Sequence, residues 1–484
     1  MNPRLNPILL SATVLLASCT MAPHYERPAS PVPATWPAEP PPAAAAPAAP
    51  ASPAVAADLG WRDFFRDHRL QELIALALGQ NRDLRVAALN VEMVAAQYRI
   101  QRAALFPSIS ADGSLTRSKL PGGLLYPGEP NPYSVYSVSA GVSSWELDFF
   151  GRIRSLKEQA LQTYFAQQQN QRSVQLALVA QVAAEYLTER ALAEEVAVAR
   201  DTLQAQQQSL FLTQRSYAVG SLSALDLSSA QSQVASAQSD LAALVRQHAQ
   251  SLTELAVLVG QPLPASADSA GYLADDALRA DLPAGLPSDL LTRRPDVIAA
   301  EDQLKGYNAN IGAARAAFFP KVTLTASGGT ESLGLSGLFK PGSEAWSFAP
   351  QIALPIFSGG ANLANLDVAK IQKLTAAAQY EKAIQVAFQE VSDALTARSL
   401  LDDQIAAQIA LVQADQDSFT LAEARYRHGI DSYLTALDAQ RSLYSARQSL
   451  IQSRLARLTN LVTLYEDLGG GWNEHTVPAA ASSP

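Results

Sequence analysis

The chain has 484 residues, 48% of them hydrophobic and 17% charged, and its 36 basic side chains are outnumbered by 45 acidic ones. The net charge of −9 excludes a general nucleic-acid-binding protein, which would present a basic surface. A single cysteine excludes an internal disulfide, and the five histidines are too scattered to predict a metal site.

The N-terminus is typical of a bacterial export signal. Arg4 precedes the apolar run from Ile8 to Leu16, which is too short to span a bilayer. Cys19 ends the sequence Leu-Ala-Ser-Cys, which resembles a bacterial lipobox. We expect residues 1–18 to be a cleaved signal peptide and Cys19 to carry lipid, with no other cofactor; the alternative is an ordinary signal peptide with an incidental cysteine. The residue after the cysteine is Thr20 and not aspartate. By resemblance to sorted lipoproteins, this favours the outer membrane as the destination of the protein.

A proline-rich segment follows the cysteine. Eleven prolines lie between Pro23 and Pro53, mixed with alanine. Because proline lacks an N–H donor and has a restricted φ, residues 19–60 are predicted to be the lipidated cysteine and an extended tether. The next breaker-poor stretch, Arg69–Ala104, predicts a helix.

Four segments alternate apolar with small polar residues. This period over about ten residues is typical of membrane-barrel strands, although a half-buried soluble sheet shows it too. Gly- and Pro-rich loops at Lys119–Pro132 and Glu331–Ala345 join the strands in pairs. The predicted strands run from Ile109 to Thr116, around Gly141, from Val322 to Ser327 and from Trp346 to Ile356.

Two long segments contain neither proline nor glycine. Arg152–Ala218 and Ala361–Arg427 have 67 residues each, and an α-helix of that length reaches about 100 Å. Shorter segments match these lengths in pairs, so each long helix is predicted to lie beside two stacked shorter helices. The pairs are Ala224–Val259 with Asp289–Ala317, and Leu434–Leu468 with Arg69–Ala104.

The second half of the chain repeats the first. Leu105-Phe106-Pro107 recurs as Phe318-Phe319-Pro320, and Tyr217 to Gly220 recurs as Tyr426 to Gly429, at offsets of 213 and 209 residues. These offsets predict a duplicated half-molecule. The predicted repeats are residues 61–288, with a linker at 260–288, and residues 289–468, before a flexible tail at 469–484.

Two strand pairs make four strands, whereas single-chain membrane barrels begin at about eight. Several protomers are therefore expected to contribute strands to one barrel. The sequence arithmetic does not choose between two, three or four chains.

Three motifs resemble the outer-membrane efflux factor (TolC-like) family, and its drug-efflux lipoprotein branch in particular. The resemblance implies a mostly α fold with a transmembrane β-barrel: a homotrimer with a 12-stranded barrel in the outer membrane over a 12-helix periplasmic tunnel. It also implies a periplasmic adaptor and an inner-membrane proton-driven pump as partners. The motifs are Leu291 to Pro320 (beginning Leu-Thr-Arg-Arg-Pro-Asp-Val), Pro355 to Gly360, and Leu437 to Arg441.

Two turns join the long helices to their return helices, and the resemblance implies that they form the periplasmic gate. Gly220 and Gly429 suit turns that need positive φ, so we interpret them first as structural residues. The resemblance implies that Asp226 accepts a hydrogen bond from Tyr426 of the other tip. An alternative for Asp226 is favourable placement at a helix N-terminus.

The resemblance also implies that carboxylates near the second turn form rings that line the constriction of the tunnel. Asp431 and Asp438 are the candidates, although Asp438 is equally suited to a helix start. Thr435 stands where many family members have aspartate, so the membership of the ring stays open. Arg293, Arg294 and Asp296 are interpreted as a structural helix start, because Pro295 suits a first helical turn.

The predicted function is a passive outer-membrane duct for small toxic compounds, and not an enzyme. Nucleophile-elbow, phosphate-loop and HExxH motifs are absent from the sequence. Type I protein secretion and a structural periplasmic coiled-coil lipoprotein are the alternatives. Outer-membrane lipid and exported small molecules are the expected contacts, and the pump is expected to choose the cargo.

Overall fold

The structure is a computed structural model that describes residues 20–36, 56–121, 131–264, 272–282 and 287–476. The helices are α1 (His68–Gln80), α2 (Arg82–Ala103), α3 (Arg152–Ala218), α4 (Ala224–Val259), α5 (Pro295–Ala316), α6 (Ala361–Arg427) and α7 (Tyr433–Asp467). The strands are β1 (Ile109–Ser118), β2 (Tyr133–Leu147), β3 (Lys321–Ser332) and β4 (Glu344–Ala353). Short helical turns lie at Ala56–Asp58, Trp61–Phe64, Pro287–Asp289, Leu290–Arg293 and Leu335–Gly337.

The two long helices have the predicted bounds, and α3 and α6 contain 67 residues each. None of the helices within the described ranges is both long and apolar enough to cross a membrane.

Two segments that were predicted as single helices are interrupted. Asn81 is extended (ψ 134°) and separates α1 from α2. Its Oδ1 accepts from the backbone N–H of Leu84 at 2.9 Å, and its Nδ2 donates to the carbonyl of Leu258 at 2.8 Å. Arg294 is extended (ψ 117°) because it precedes Pro295, where the α conformation is disfavoured.

The four strands form one antiparallel sheet in the order β1-β2-β3-β4. Its register places Ile109 opposite Val142 and Val322 opposite Ile352. A bulge between Val142 and Trp145 shifts the pairing of β2 with β3. At Gly329 a Cβ atom would lie 2.1 Å from a backbone oxygen of β2, so only glycine allows this close approach.

The sheet has one apolar and one polar face, as the alternation predicted. Ser114 and Ser137 hydroxyls lie 2.8 Å apart on the polar face, and so do those of Ser327 and Ser347. The opposite face includes Ile109, Leu115, Tyr136, Val138, Val142, Trp145, Leu324, Trp346, Phe348 and Ile352.

The chain forms two compact units, each drawn from both repeats. The first contains residues 1–29, 90–168 and 299–380, and therefore the whole sheet; the second contains residues 30–89, 169–298 and 381–484. In the second unit Phe64 stacks on Tyr465 at 4.1 Å between ring centroids, and the Tyr465 hydroxyl donates to the Leu59 carbonyl at 2.6 Å.

The segments predicted as a tether and a flexible tail are both packed where the structure describes them. Residues 21–27 form hydrogen bonds with α5 in the first unit. In the second unit Trp36 stacks on Phe388 at 5.1 Å. The tail prediction was wrong for residues 469–476, because the N–H of Trp61 donates to Asn473 and Thr476 hydrogen-bonds Asp63. Cys19 and the predicted signal peptide, residues 1–18, lie outside the described residues.

Candidate functional site

The two predicted turns have the same backbone structure. We call residues 216–226 the first tip and residues 425–435 the second tip. Gly220 has φ 81° and Gly429 has φ 70°, so both adopt the left-handed conformation that favours glycine. The N–H of each glycine donates to the backbone carbonyl three residues earlier at 2.9 Å. The N–H of the following residue donates to the carbonyl five residues before itself, also at 2.9 Å. This pattern is the Schellman end of a helix.

The first tip ends in a capping box that contains Asp226. The backbone N–H of Asp226 donates to Ser223 Oγ at 3.1 Å, and Asp226 Oδ2 accepts from the N–H of Ser223 at 3.1 Å. The Ser223 hydroxyl also donates to that carboxylate at 2.7 Å. The structure therefore gives Asp226 the helix-start role that the sequence analysis kept as the alternative.

The second tip contains a bidentate ion pair instead. Arg425 Nε lies 2.6 Å from Asp431 Oδ2, and Arg425 Nη2 lies 3.0 Å from Oδ1. These hydrogen bonds hold the pKa of the Asp431 carboxyl below its usual value. Asp431 is therefore ionised and paired within its own tip. The corresponding position of the first tip is Leu222, so this pair belongs to the second tip alone.

Apolar packing joins the two helical hairpins near the tips. The rings of Tyr426 and Tyr433 lie 5.4 Å apart at their centroids, and they pack with Leu210, Ala230 and Leu437. Burial in this cluster raises the pKa of the Tyr426 hydroxyl.

The predicted Asp226–Tyr426 hydrogen bond is not among the bonds of the described part of the chain. The Asp226 carboxylate instead accepts from Ser223. The two side chains are nevertheless close enough for the Asp226 charge to contribute, after burial, to the raised pKa of Tyr426.

Asp438 has a different environment from Asp431. Its side chain is 63% exposed, and the cation it pairs with, Arg441 Nη1, lies 3.8 Å away. Arg441 Nε also donates to Gln233 Oε1 at 3.1 Å. Asp438 is therefore a solvent-facing charge, whereas Asp431 is neutralised by Arg425.

Several residues at the tips were not selected from the sequence. Arg425 is one, and its pairing depends on the turn that brings position 425 back to position 431. Large apolar side chains are also exposed there, and the 209-residue offset could have predicted only the matching pair Leu225 and Leu434. The exposed side chains are Val219, Leu225, Ile430 and Leu434.

The Arg-Arg-Pro-Asp motif lies away from the tips in sequence and ties helices together in the second unit. Arg294 Nε donates to Asp296 at 2.9 Å, and its guanidinium also pairs with Glu390. Arg293 pairs with Asp58 at 2.8 Å. The helix starts at Pro295, so the structural interpretation of this motif agrees with its contacts.

A cavity of about 660 Å³ borders Arg294, and carboxylates line much of it. Burial raises the pKa of Asp467 to about 7, and its charge interacts with Arg294. Across the described ranges, the histidine, cysteine and acidic residues do not form a group of three or more that could hold a metal ion.

Comparison with protein families gives one family that matches the chain in two segments. A family model described as "Outer membrane efflux protein" matches residues 73–261 and again residues 286–470, once in each repeat.

Relatives and solved structures resemble the chain over nearly its full length. The antibiotic efflux pump outer membrane protein ArpC of Pseudomonas putida is 51% identical over 97% of this chain and 96% of its own length. The toluene efflux pump outer membrane protein TtgC, also of Pseudomonas putida, has the same identity and coverage. The open-state structure of the Neisseria gonorrhoeae MtrE outer membrane channel is 40% identical, with a TM-score of 0.84 over 95% of this chain and 100% of that one.

Proposed function

The chain belongs to the outer membrane efflux protein family, and from that membership we propose that it is the exit duct of a tripartite efflux system. It is a protein of the outer membrane, with the mostly helical fold and the four-stranded sheet of that family's channels. The observation that carries the proposal is that a continuous 67-residue helix links each strand pair to a tip. Such a duct is passive and needs no catalytic group.

We propose a homotrimer, as the family resemblance implies, and the edges of the sheet allow this closure. β1 and β4 are each paired on one side only within the described sheet. Unpaired edges are satisfied when the last strand of one protomer joins the first strand of the next. Three protomers would give a closed sheet of 12 strands, which is within the range of outer-membrane channels.

We propose that the tips close the duct and that an adaptor opens it. The exposed apolar side chains Val219, Leu225, Ile430 and Leu434 suit an adaptor surface, because clustered exposed apolar residues mark interaction sites. A Val219→Asp/Ile430→Asp variant should remain trimeric and lose adaptor capture. If this variant still captures the adaptor, the adaptor binds to another surface of the protein.

Within this proposal Tyr426 and Asp226 are the latch of the closed state, and the support for this pair is the contribution of the Asp226 charge to the raised pKa of Tyr426. Tyr426→Phe keeps the ring on Tyr433 and removes the hydroxyl. Loss of a latch hydrogen bond formed in the closed trimer, at about 1 kcal/mol per protomer, would shift the closed-to-open equilibrium about fivefold for each protomer, or roughly a hundredfold when the three open together. Conductance in planar bilayers measures this shift, and Tyr217→Phe at the matching position of the first tip is the control. Equal conductance of the two variants would show that the Tyr426 hydroxyl does not act as a latch.

The cargo is proposed to be small toxic compounds delivered by a proton-driven inner-membrane pump. The relatives named for antibiotic and toluene efflux support this substrate class. Deleting the gene should sensitise cells to such compounds and leave protein secretion unchanged. Loss of a secreted protein, with unchanged sensitivity, would favour the type I secretion alternative.

We propose that Cys19 carries the lipid anchor. It is the chain's only cysteine and follows a short apolar run. Intact-mass measurement of the purified protein should show a lipidated N-terminus at Cys19, and Cys19→Ala should lose it. An unmodified wild-type N-terminus at another residue would overturn this assignment.

A further inference from the structure

The cavity beside Arg294 lies within the second unit and has an excess of negative charge. Its walls come from α3, α6 and α7 and from the start of α5. A volume of about 660 Å³ is in the range of pockets that hold drug-sized molecules. Among the described residues that line it, Arg294 alone is basic, whereas five are carboxylates. These are Asp296, Glu390, Asp393, Glu466 and Asp467.

Arg294 does not balance this charge, because two of the carboxylates already bind its guanidinium. Its Nε lies 2.9 Å from Asp296 Oδ1, and its Nη2 pairs with Glu390. Its approach to the Asp467 carboxylate is longer, at 3.7 Å from Nη1 to Oδ1. One guanidinium is thus shared among three carboxylates, and the cavity keeps a net negative charge.

Asp467 ends α7, and its carboxylate is buried without a full set of hydrogen-bond donors. The side chain is 9% exposed, and Oδ2 has no hydrogen-bond partner within the described part of the chain. A buried acceptor without a donor is unfavourable, and the ionised form suffers most. Burial is accordingly the main cause that raises the pKa of Asp467 to about 7. The nearby charges are Arg294, which lowers this pKa, and Glu390, Glu466 and Asp296, which raise it.

Helices α3 and α6 add a second unsatisfied polar group and an apolar surface. Ser173 Oγ is buried and, across the described ranges, has no hydrogen-bond partner. Leu176 and Ala177 of α3 line the same cavity as Ala394 and Ala397 of α6. The cavity therefore combines carboxylates that lack donors with a surface that an apolar group can cover.

These features favour one class of occupant. The acidic residues of the described chain do not converge as three or more ligands for a metal ion. An organic cation differs, because it can direct N–H donors to a carboxylate while its apolar body covers Leu176 and the alanines. We propose that this cavity binds a drug-sized organic cation with N–H donors, and that Asp467 is its main hydrogen-bond acceptor. The site goes beyond the proposed duct function and does not depend on it.

Fluorescence anisotropy of ethidium with the full-length protein in an uncharged detergent tests the site. Ethidium has a permanent positive charge, two amino groups and an aromatic body, so it does not titrate between pH 6 and pH 8. The wild type should bind it saturably. A carboxyl with a pKa of about 7 is about 90% ionised at pH 8 and about 10% ionised at pH 6, so Kd should be about tenfold larger at pH 6.

Asp467→Asn keeps the shape of the side chain and removes its charge. This variant should bind ethidium about tenfold more weakly at pH 8 and should lose the difference between pH 6 and pH 8. Asp438→Asn, on the same helix but outside the cavity, is the matched control and should bind like the wild type. Ala397→Phe keeps all five carboxylates but fills the cavity from α6, so it should lose binding at both pH values.

Equal affinity of the wild type and both cavity variants would overturn the proposal, as would wild-type binding that does not saturate. An equal loss of affinity in Asp438→Asn and Asp467→Asn would place the cation outside the cavity and overturn it as well. Conductance of the same samples in planar bilayers separates this failure from that of the duct. A protein that conducts but does not bind ethidium would refute the cation site alone.

Discussion

The turns at Gly220 and Gly429 follow the same backbone path, and their two pairs of Schellman hydrogen bonds are all 2.9 Å long. Their side chains differ. The first tip is stabilised by a capping box between Ser223 and Asp226, and the second by the ion pair between Arg425 and Asp431. A tight helix end therefore requires the backbone geometry that both tips share, whereas the stabilising side chains can differ between the tips.

A backbone requirement is the same in both repeats, because both turns need φ near +75° and only glycine adopts it at little cost. Electrostatic groups carry no such requirement. The second tip alone contains a charge pair that salt and mutation can disrupt, so we expect the two tips to respond differently to the same perturbation.

The largest effect should come from the glycines and should be equal at the two tips. Among the described residues, and apart from each glycine and its two chain neighbours, no heavy atom lies within 4 Å of a Cβ built at Gly220 or Gly429, so alanine introduces only backbone strain. We expect Gly220→Ala and Gly429→Ala each to destabilise the tip by about 1–2 kcal/mol. Hydrogen exchange of the tip amides measures this, and clearly unequal losses would show that the turns are not equivalent.

Removal of the N-cap serine, by contrast, should affect the two tips differently. Ser223 accepts a backbone hydrogen bond with its side chain, whereas Ser432 at the matching position makes no such capping bond within the described part of the chain. Ser223→Ala should cost about 1 kcal/mol in the first turn of α4. Ser432→Ala should leave exchange in the first turn of α7 nearly unchanged, and a comparable loss there would contradict the structure.

Removing the ion pair should loosen only the second tip. Arg425→Ala should raise the open probability about two- to fivefold in planar bilayers at low salt. In about 1 M salt, where the screening length is about 3 Å, the difference from wild type should shrink. Arg427→Ala is the control, because Arg427 pairs within its own helix with Glu423 at 2.7 Å. An equal response to both substitutions would mean that the Arg425 pair does not hold the gate.

Ion selectivity should distinguish the two candidate ring carboxylates. Asp438→Asn should reduce cation selectivity more than Asp431→Asn, because Asp438 is solvent-facing and Asp431 is neutralised by Arg425. Reversal potentials in a salt gradient give the comparison. Unchanged selectivity in both variants would make these aspartates helix-start and turn residues only.

The smallest effect concerns pH. The folded-state pKa of Asp431 is lowered by Arg425, so its stabilising contribution is present above the unfolded value near 3.8 and is lost as pH falls through the lower folded value. Lowering the pH from about 7 to about 5 should therefore leave the Arg425-dependent conductance difference unchanged. Its disappearance in that interval would point to another titrating group.

Local patterns were sufficient for the elements. The absence of proline and glycine predicted the bounds of α3 and α6, the alternation predicted the two faces of the sheet, and the repeat predicted both tip glycines. They failed where a single residue mattered. Asn81 interrupts a segment of good helix formers, because its side chain bonds to Leu84 and to Leu258 of α4.

Which side chains pair with one another was decided by the folded structure. The pairing of Arg425 with Asp431 depends on a completed turn, and the Asp226 carboxylate is bound by Ser223 in a local capping box. Residues 21–27 show the limit of sequence patterns most clearly. They were predicted as part of an extended tether, but they are bound to α5, where Glu301, 274 residues away in the chain, presents a buried carboxylate to Arg27. Sequence periodicity reports how neighbours along the chain fold, whereas a buried charge is satisfied by whichever residue the completed fold brings to it.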